Sequence, residues 1–239
     1  ADGRLVALYN RWARGGIGLL ITGNVQVDRR YLERPGNVVI DGDQDETQRE
    51  GLMAWAAASK HSGTRVFMQL NHAGRQATRL VTKDVVGPSA IASTDLMSNM
   101  LKSTTRALSL EDIADIRRRF FNAAKVAKEC GFEGVQIHAA HGYLLSSFLN
   151  PRANQREDQY GGSLENRARL LLEVVEEVAT LRDETFALAV KINSSDFQKG
   201  GFTQEEFEQV VVWLDKRNVD LIEVSGGNYE APAMMGAAE

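Results

Sequence analysis

Three polar side chains that could do chemistry together lie within six residues of the sequence. His138, His141 and Tyr143 sit at and just beyond the end of the apolar run GVQIH. Two imidazoles and a phenol at the end of a buried strand could bind one oxygen atom and supply one proton. A lone histidine is more often a hydrogen-bonded core residue, but three such groups together favour a functional site. A metal site is not predicted, because no cysteine or third histidine follows at a zinc-like interval.

Two further polar residues interrupt apolar runs. Gln69 ends the run RVFMQ, and its carboxamide offers a donor and an acceptor side by side, which suits the edge of a flavin pyrimidine or a nucleobase. Lys191 is a charge inside FALAVKI. A buried ammonium needs a carboxylate or an anionic ligand beside it, and the spacing leaves both partners open.

The elements that must position these residues are strands alternating with amphipathic helices, a pattern typical of βα units and a parallel sheet. The predicted strands are residues 17–22, 65–70, 134–138, 186–192 and 219–224. Each is apolar almost throughout, so both faces should be buried.

Capping boxes predict where three of the helices begin. They are Thr47 with Glu50, Ser109 with Asp112, and Thr203 with Glu206. Cys130, followed by a glycine, should end the second of these helices as a small buried side chain.

The loops predict where the site lies. Links from helix to strand are short, whereas the links from strand to helix at residues 23–46, 71–108 and 139–162 are long. In a parallel array these long loops gather at the carboxyl ends of the strands, where functional sites are found. Five strand–helix units cannot close an eight-stranded barrel, and an open doubly wound sheet stays an alternative, although no G-x-G-x-x-G motif occurs.

The composition narrows the class of partner. The chain has 239 residues, a formal net charge of −4 and one cysteine. The charge gives no reason to expect nucleic acid, and no apolar run reaches the roughly 18 residues that span a bilayer. We therefore expect a small-molecule partner, neither nucleic acid nor membrane, and a reducing, cytoplasmic location. A homo-oligomer is compatible with the sequence.

Six blocks of the sequence, in order, resemble the Old Yellow Enzyme family of NAD(P)H-dependent flavin oxidoreductases. They are LLITGN at 19–24, QLNHAGR at 69–75, VGPSAI at 86–91, IHAAHGYLLSSFLNPRANQREDQYGGSLENR at 137–167, VKIN at 190–193 and SGGNYE at 225–230. The resemblance implies an α/β fold, a (β/α)8 TIM barrel that binds FMN non-covalently at the carboxyl ends of its strands. It also implies reduction of the C=C bond of an activated alkene, an α,β-unsaturated carbonyl or nitro compound. NAD(P)H would be the reductant, in a ping-pong hydride transfer.

The same resemblance implies a role for each candidate residue. His138 and His141 would hydrogen-bond the oxygen of the alkene substrate, and Tyr143 would donate the proton. The residues that would bind FMN are Gln69 at the pyrimidine edge, Lys191 near flavin N1 and O2, and Gly23 and Asn24 where the second family strand passes the ring.

Two departures from the family pattern qualify the resemblance. Many relatives have arginine where this chain has Lys191, which offers a point charge without a bidentate fork. The family's first strand and last two strand–helix units have no counterpart. Residues 1–239 are therefore predicted to form one partial TIM-barrel FMN-binding domain of about five units. Weak FMN binding, or none, is expected because the phosphate anchor is missing. The alternatives are the barrel portion of a larger dienoyl-CoA or enoate reductase with an iron–sulfur cluster, and a non-catalytic fragment without cofactor.

Overall fold

A computed structural model of the chain describes residues 1–91 and 105–229. The α-helices are α1 (Gly3–Ala13), α2 (Glu46–Ala58), α3 (Leu110–Glu129), α4 (Leu144–Leu149), α5 (Leu164–Ala179) and α6 (Gln204–Asp215). The strands are β1 (Leu19–Ile21), β2 (Val25–Gln26), β3 (Val38–Val39), β4 (Arg65–Asn71), β5 (Val85–Gly87), β6 (Thr105–Ala107), β7 (Gly134–Ala139), β8 (Ala187–Asn193) and β9 (Leu221–Ser225).

The main sheet is parallel throughout, in the order β3-β2-β4-β7-β8-β9, with β1 also paired to β4. β1 pairs with the first residues of β4 and β2 with the last, so the two act as one strand interrupted at residues 22–24. The five predicted strands correspond to β1, β4, β7, β8 and β9 and are confirmed. Among the described residues β9 has a strand neighbour on one side only, so the array is open.

The core lies between the sheet and the helices. Alternate residues of the central strands, such as Met68 in β4, Ile137 in β7 and Val190 in β8, are fully buried in the same cluster as Ile113 and Phe120 of α3. Since successive strand residues point to opposite faces, the residues between them point away from these helices. That second face carries Gln69, His138 and Lys191, three of the polar residues predicted from the sequence.

Two of the three predicted helix starts are confirmed and one is wrong. Ser109 and Asp112 form a capping box at α3, as Thr203 and Glu206 do at α6. The start predicted at Thr47 and Glu50 is displaced, because Asp45 caps α2 and its carboxylate accepts from the Gln48 amide at 2.8 Å. Aspartate caps a helix as well as threonine does, and the Gln48 side chain closes the box in place of an acid.

The long loops lie at the carboxyl ends of the strands, as predicted. The loop after β4 contains the parallel pair β5–β6, and its residues 92–104 lie outside the described part of the chain. The loop after β7 contains α4, and a bridge between His141 and Asn228 joins it to the loop after β9. Cys130 is buried at the end of α3, as predicted, and burial raises the pKa of its thiol.

Candidate active site

A row of polar side chains crosses one face of the sheet. Gln69 is the register partner of Gln136, His138 is the partner of Lys191, and Lys191 is the partner of Glu223. Register partners on parallel strands point to the same face, and Gln136 and His138 are two residues apart on β7. Strands β4, β7, β8 and β9 therefore present all five side chains on the face opposite the helices.

Hydrogen bonds join four of these side chains into a chain. Gln69 Nε2 donates to Gln136 Oε1 at 2.6 Å, and Gln136 Nε2 donates to Glu223 Oε2 at 2.8 Å. Lys191 Nζ lies 2.7 Å from Glu223 Oε1. Burial would raise the pKa of Glu223, but the hydrogen bonds from Lys191 and Gln136 hold it below its ordinary value. The sequence left either a carboxylate or an anionic ligand as the partner of Lys191, and the structure pairs it with the carboxylate of Glu223.

The rings of His138, His141 and Tyr143 meet above the end of β7. The centroid of the His138 ring lies 5.2 Å from that of His141 and 4.9 Å from that of Tyr143, both edge to face. His141 has φ 64° and Gly142 has φ 81°, two left-handed residues in succession that turn the chain back over the strand. A left-handed histidine is strained, and such strain concentrates at functional sites.

His138 is a neutral donor. Its Nδ1 accepts the backbone N–H of Ala140 at 3.2 Å, which leaves the ring proton on Nε2. Burial, followed by the nearby His141 and Lys191, holds the pKa of His138 well below its ordinary value. At neutral pH this side chain can therefore donate one hydrogen bond without carrying a charge.

His141 is fixed by two neighbouring strands. Its Nε2 lies 2.6 Å from Ser225 Oγ at the end of β9, and its backbone N–H donates to Asn193 Oδ1 at 3.3 Å at the end of β8. Burial and the charge of Lys191 lower the pKa of His141 to about 4. Its ring is thus also neutral at physiological pH.

Tyr143 is buried, with 5% of its surface exposed, and directly precedes α4, to which its side chain makes no capping hydrogen bond. Its hydroxyl donates to Glu33 Oε2 at 2.5 Å. Burial, together with the carboxylate of Glu33, raises the pKa of Tyr143 well above its ordinary value. The phenol is therefore protonated at physiological pH.

Gly23 and Asn24 lie in the interruption between β1 and β2. Gly23 is exposed, and a Cβ added to it would meet nothing within 4 Å, so a flat ligand could approach its backbone. Asn24 Nδ2 donates to Glu33 Oε2 at 2.6 Å. Asn24 Oδ1 is buried and has no hydrogen-bond partner among the described residues, so it could accept from a ligand.

Sequence reasoning missed five residues of the site: Gln136, Glu33, Glu223, Ser225 as a partner of His141, and Tyr229, whose ring lies 5.9 Å from that of Tyr143. A signal existed for Glu223, an acid in an apolar strand next to the strand of Lys191. Ser225 and Tyr229 belong to the block at 225–230, of which Glu230 lies outside the described residues. Glu33 lies in an irregular loop without any such signal.

The fold and site together define a class: an open part of a parallel (β/α) barrel, with a polar site at the carboxyl ends of its strands. Residues 1–234 match the NADH:flavin oxidoreductase / NADH oxidase family, to which the chain belongs. The NADH-dependent flavin oxidoreductase iliE of Hypocrea jecorina (strain QM6a) is 37% identical over 246 residues, covering 98% of this chain and 61% of that protein.

Two solved structures resemble the fold closely. A 2-naphthoyl-CoA reductase in complex with 2-naphthoyl-CoA has a TM-score of 0.86 and 28% identity, over 95% of this chain and 36% of that one. Old Yellow Enzyme from Pichia sp. AKU4542 has a TM-score of 0.80 and 28% identity, over 94% of this chain and 62% of that one. The predicted family and the incomplete TIM barrel are confirmed, and FMN and NAD(P)H are the cofactor and reductant that the family supports. The chain spans about three-fifths of the fungal relative's length.

The side chains present fit the ring of a flavin. Asn24 Oδ1 is an acceptor without a partner among the described residues, and Gly23 leaves open space beside its backbone. Gln69 on β4 and Lys191 on β8 offer an amide and a cation on the same face, on either side of β7. No helix in the described ranges is long and apolar enough to cross a membrane. Nor do these ranges contain a group of three side chains that could hold a metal ion.

Proposed function

We propose that this chain contributes the FMN ring site and the substrate site of an ene-reductase, as one partial barrel domain over residues 1–239. The substrate is an activated alkene, an α,β-unsaturated carbonyl or nitro compound. Bound FMN would supply the redox chemistry, taking hydride from NAD(P)H and giving it to the alkene β-carbon in a ping-pong cycle. The observation that carries the proposal is the neutral His138 donor beside the protonated Tyr143, both above the end of β7.

His138 and His141 are proposed to bind the substrate oxygen. The Nε2 proton of His138 donates to that oxygen, which withdraws electrons from the double bond and stabilises the negative charge that forms on it. His141 lies beside His138 at 5.2 Å between ring centroids and supplies a second donor when its proton faces the substrate. Both rings are neutral, so they polarise the substrate without first protonating it.

Tyr143 is proposed to protonate the α-carbon. A phenol whose pKa is raised by burial and by Glu33 stays protonated through the physiological range. It becomes a proton donor when a strongly basic carbon, such as the α-carbon of the polarised alkene, lies against it.

Gln69, Lys191, Gly23 and Asn24 are proposed to hold the flavin ring. Gln69 would bind the pyrimidine edge, and Lys191 would favour the reduced ring through its charge, partly offset by Glu223 at 2.7 Å. Gly23 would let the ring approach the backbone, and Asn24 Oδ1 would accept a hydrogen bond.

Anaerobic stopped-flow measurements of the two half-reactions test this function. Tyr143→Phe should slow oxidation of the reduced enzyme by 2-cyclohexenone about a hundredfold, a typical contribution of a general acid. Reduction by NADH should be nearly unchanged, because that step needs no proton from Tyr143. Equal loss in both half-reactions would remove Tyr143 from the proton-donor role.

The second candidate is the barrel portion of a larger reductase that acts on CoA thioesters. It is favoured by the TM-score of 0.86 to the 2-naphthoyl-CoA reductase, of which this chain covers 36%. Preference for a dienoyl-CoA over 2-cyclohexenone, together with iron and acid-labile sulfide in the native protein, would support it. Titration of the 239-residue chain with FMN separates both candidates from a fragment without cofactor and tests the expected weak FMN binding.

A further inference from the structure

The proposed proton donor is itself bound to a carboxylate. The Tyr143 hydroxyl donates to Glu33 Oε2 at 2.5 Å, a length typical of a charge-assisted O–H···O⁻ hydrogen bond. Tyr143 is 5% exposed, whereas the Glu33 side chain is 18% exposed. Glu33 therefore lies between the buried phenol and solvent.

Glu33 is held in this position from both sides. Asn24 Nδ2 donates to its Oε2 at 2.6 Å, and Asn37 Nδ2 donates to its Oε1 at 3.2 Å. Arg34 Nε lies 3.8 Å from Oε1. A carboxylate with this many partners in one loop is fixed for contact with Tyr143 rather than free in solvent.

Loss of the Tyr143 proton would leave two negative charges in contact unless a second proton replaced it. If Tyr143 gave its proton to substrate and nothing replaced it, a phenolate and a carboxylate would face each other at hydrogen-bond distance in a buried site. Two like charges so close cannot both persist, and such a pair takes up a proton. Glu33 is the carboxylate in contact, and it reaches solvent.

We propose that Glu33 is a positioning residue that orients the Tyr143 hydroxyl and relays protons to it from solvent; this rests on the proposed function. The Tyr143 O–H bond breaks as the C–H bond forms at the α-carbon. Glu33 then takes up a proton from solvent, and its O–H bond breaks as a new O–H bond forms on Tyr143, which leaves Glu33 ionised again. Both electrons that reduce the alkene arrive with the hydride, so the relay moves only protons.

Glu33→Gln tests the relay in the FMN-loaded protein. Glutamine keeps an oxygen that accepts from Tyr143, but it cannot pass on a proton. Oxidation of the reduced enzyme by 2-cyclohexenone should slow about tenfold or more, with a larger solvent deuterium isotope effect. Reduction by NADH should slow much less than the alkene step, because it takes no proton from Tyr143. Glu33→Asp, which restores a carboxylate, should recover part of the rate.

A double-mutant cycle shows whether Glu33 acts through Tyr143. Glu33→Gln added to Tyr143→Phe should slow alkene reduction no further than Tyr143→Phe alone. A full additional loss in the double variant would overturn the inference. So would a slow Tyr229→Phe variant beside a normal Glu33→Gln variant, because the proton would then arrive through Tyr229. If Tyr143→Phe slows the alkene step and Glu33→Gln does not, only the Glu33 role fails. If the wild type does not reduce the alkene at all, both the proposed function and the Glu33 role fail.

A measurement without cofactor provides an independent readout. The short hydrogen bond should give a downfield hydroxyl proton resonance in the ¹H NMR spectrum of the FMN-free protein. Tyr143→Phe should remove this resonance, and Glu33→Gln should move it upfield because a neutral amide accepts more weakly than a carboxylate. An identical resonance in the Glu33→Gln variant would overturn the contact on which the relay depends.

Discussion

Gly134, the first residue of β7, is packed too closely for any side chain. A Cβ at this position would lie 2.7 Å from the Ala187 carbonyl oxygen and 2.7 Å from ring atoms of Phe67. The carbonyl belongs to the backbone of β8, which cannot move without opening the sheet, and Phe67 is itself buried. Overpacking of this kind costs about 1–3 kcal/mol, and with a backbone atom in the contact we expect Gly134→Ala to lose about 2 kcal/mol or more.

Urea unfolding followed by tryptophan fluorescence measures this loss. Gly18→Ala is the matched control, because Gly18 is exposed and an added Cβ would meet nothing within 4 Å. Its urea midpoint should be unchanged or slightly higher, since alanine restricts the unfolded chain. Gly134 precedes His138 on the same strand, so alkene reduction should also slow. Equal midpoints for the two variants would show that β7 and β8 separate easily and would refute the packing argument.

The remaining predictions concern ionisable groups. Burial lowers the pKa of His72 to about 4 from 6.5, so the neutral ring stabilises the fold above pH 6.5 by about 3 kcal/mol, and this is lost as the pH falls towards 4. His72→Asn can still accept a hydrogen bond from the Gly74 N–H. In this variant the urea midpoint should fall less between pH 6.5 and pH 4 than in the wild type. An equal fall in both proteins would contradict this prediction. Arg167→Met should cost about 3 kcal/mol in urea unfolding, because it leaves Glu206 without its buried partner. Arg4→Met, at an exposed ion pair, is the control and should show no measurable change.

The strands and the location of the site could be predicted from the sequence because they depend on local patterns. Continuous apolar runs identified β4, β7 and β8, and the long loops at residues 23–46, 71–108 and 139–162 identified the functional edge. Helix α1 was not predicted, although Asp2 caps it and Tyr9 and Ala13 form a buried stripe four residues apart. The short strands β2, β3, β5 and β6 were missed because two or three residues carry too little periodicity.

Contacts between loops could not be predicted in the same way. Glu33 meets Tyr143 across 110 residues of sequence, and His141 meets Ser225 across 84. No regular sequence separation predicts either contact, since the position of a loop residue depends on what the loop packs against. The pairing of Lys191 with Glu223 is different. Each is a charged residue at a similar position within one of two consecutive predicted strands, so the sequence could have predicted that they pair.

The two halves of the proposed reaction are joined through one strand. Gln136 connects to the flavin-side residues Gln69 and Glu223 by hydrogen bonds, and His138, two residues further along β7, belongs to the substrate-side group. Two residues of a strand advance about 6.6 Å, a distance that the pleat fixes and side-chain motion cannot change. In the proposed function, the separation between the flavin edge and the substrate oxygen would thus depend on backbone geometry. Rigid strands would supply this spacing, while the loops carrying Tyr143 and Glu33 would supply the groups that handle the proton.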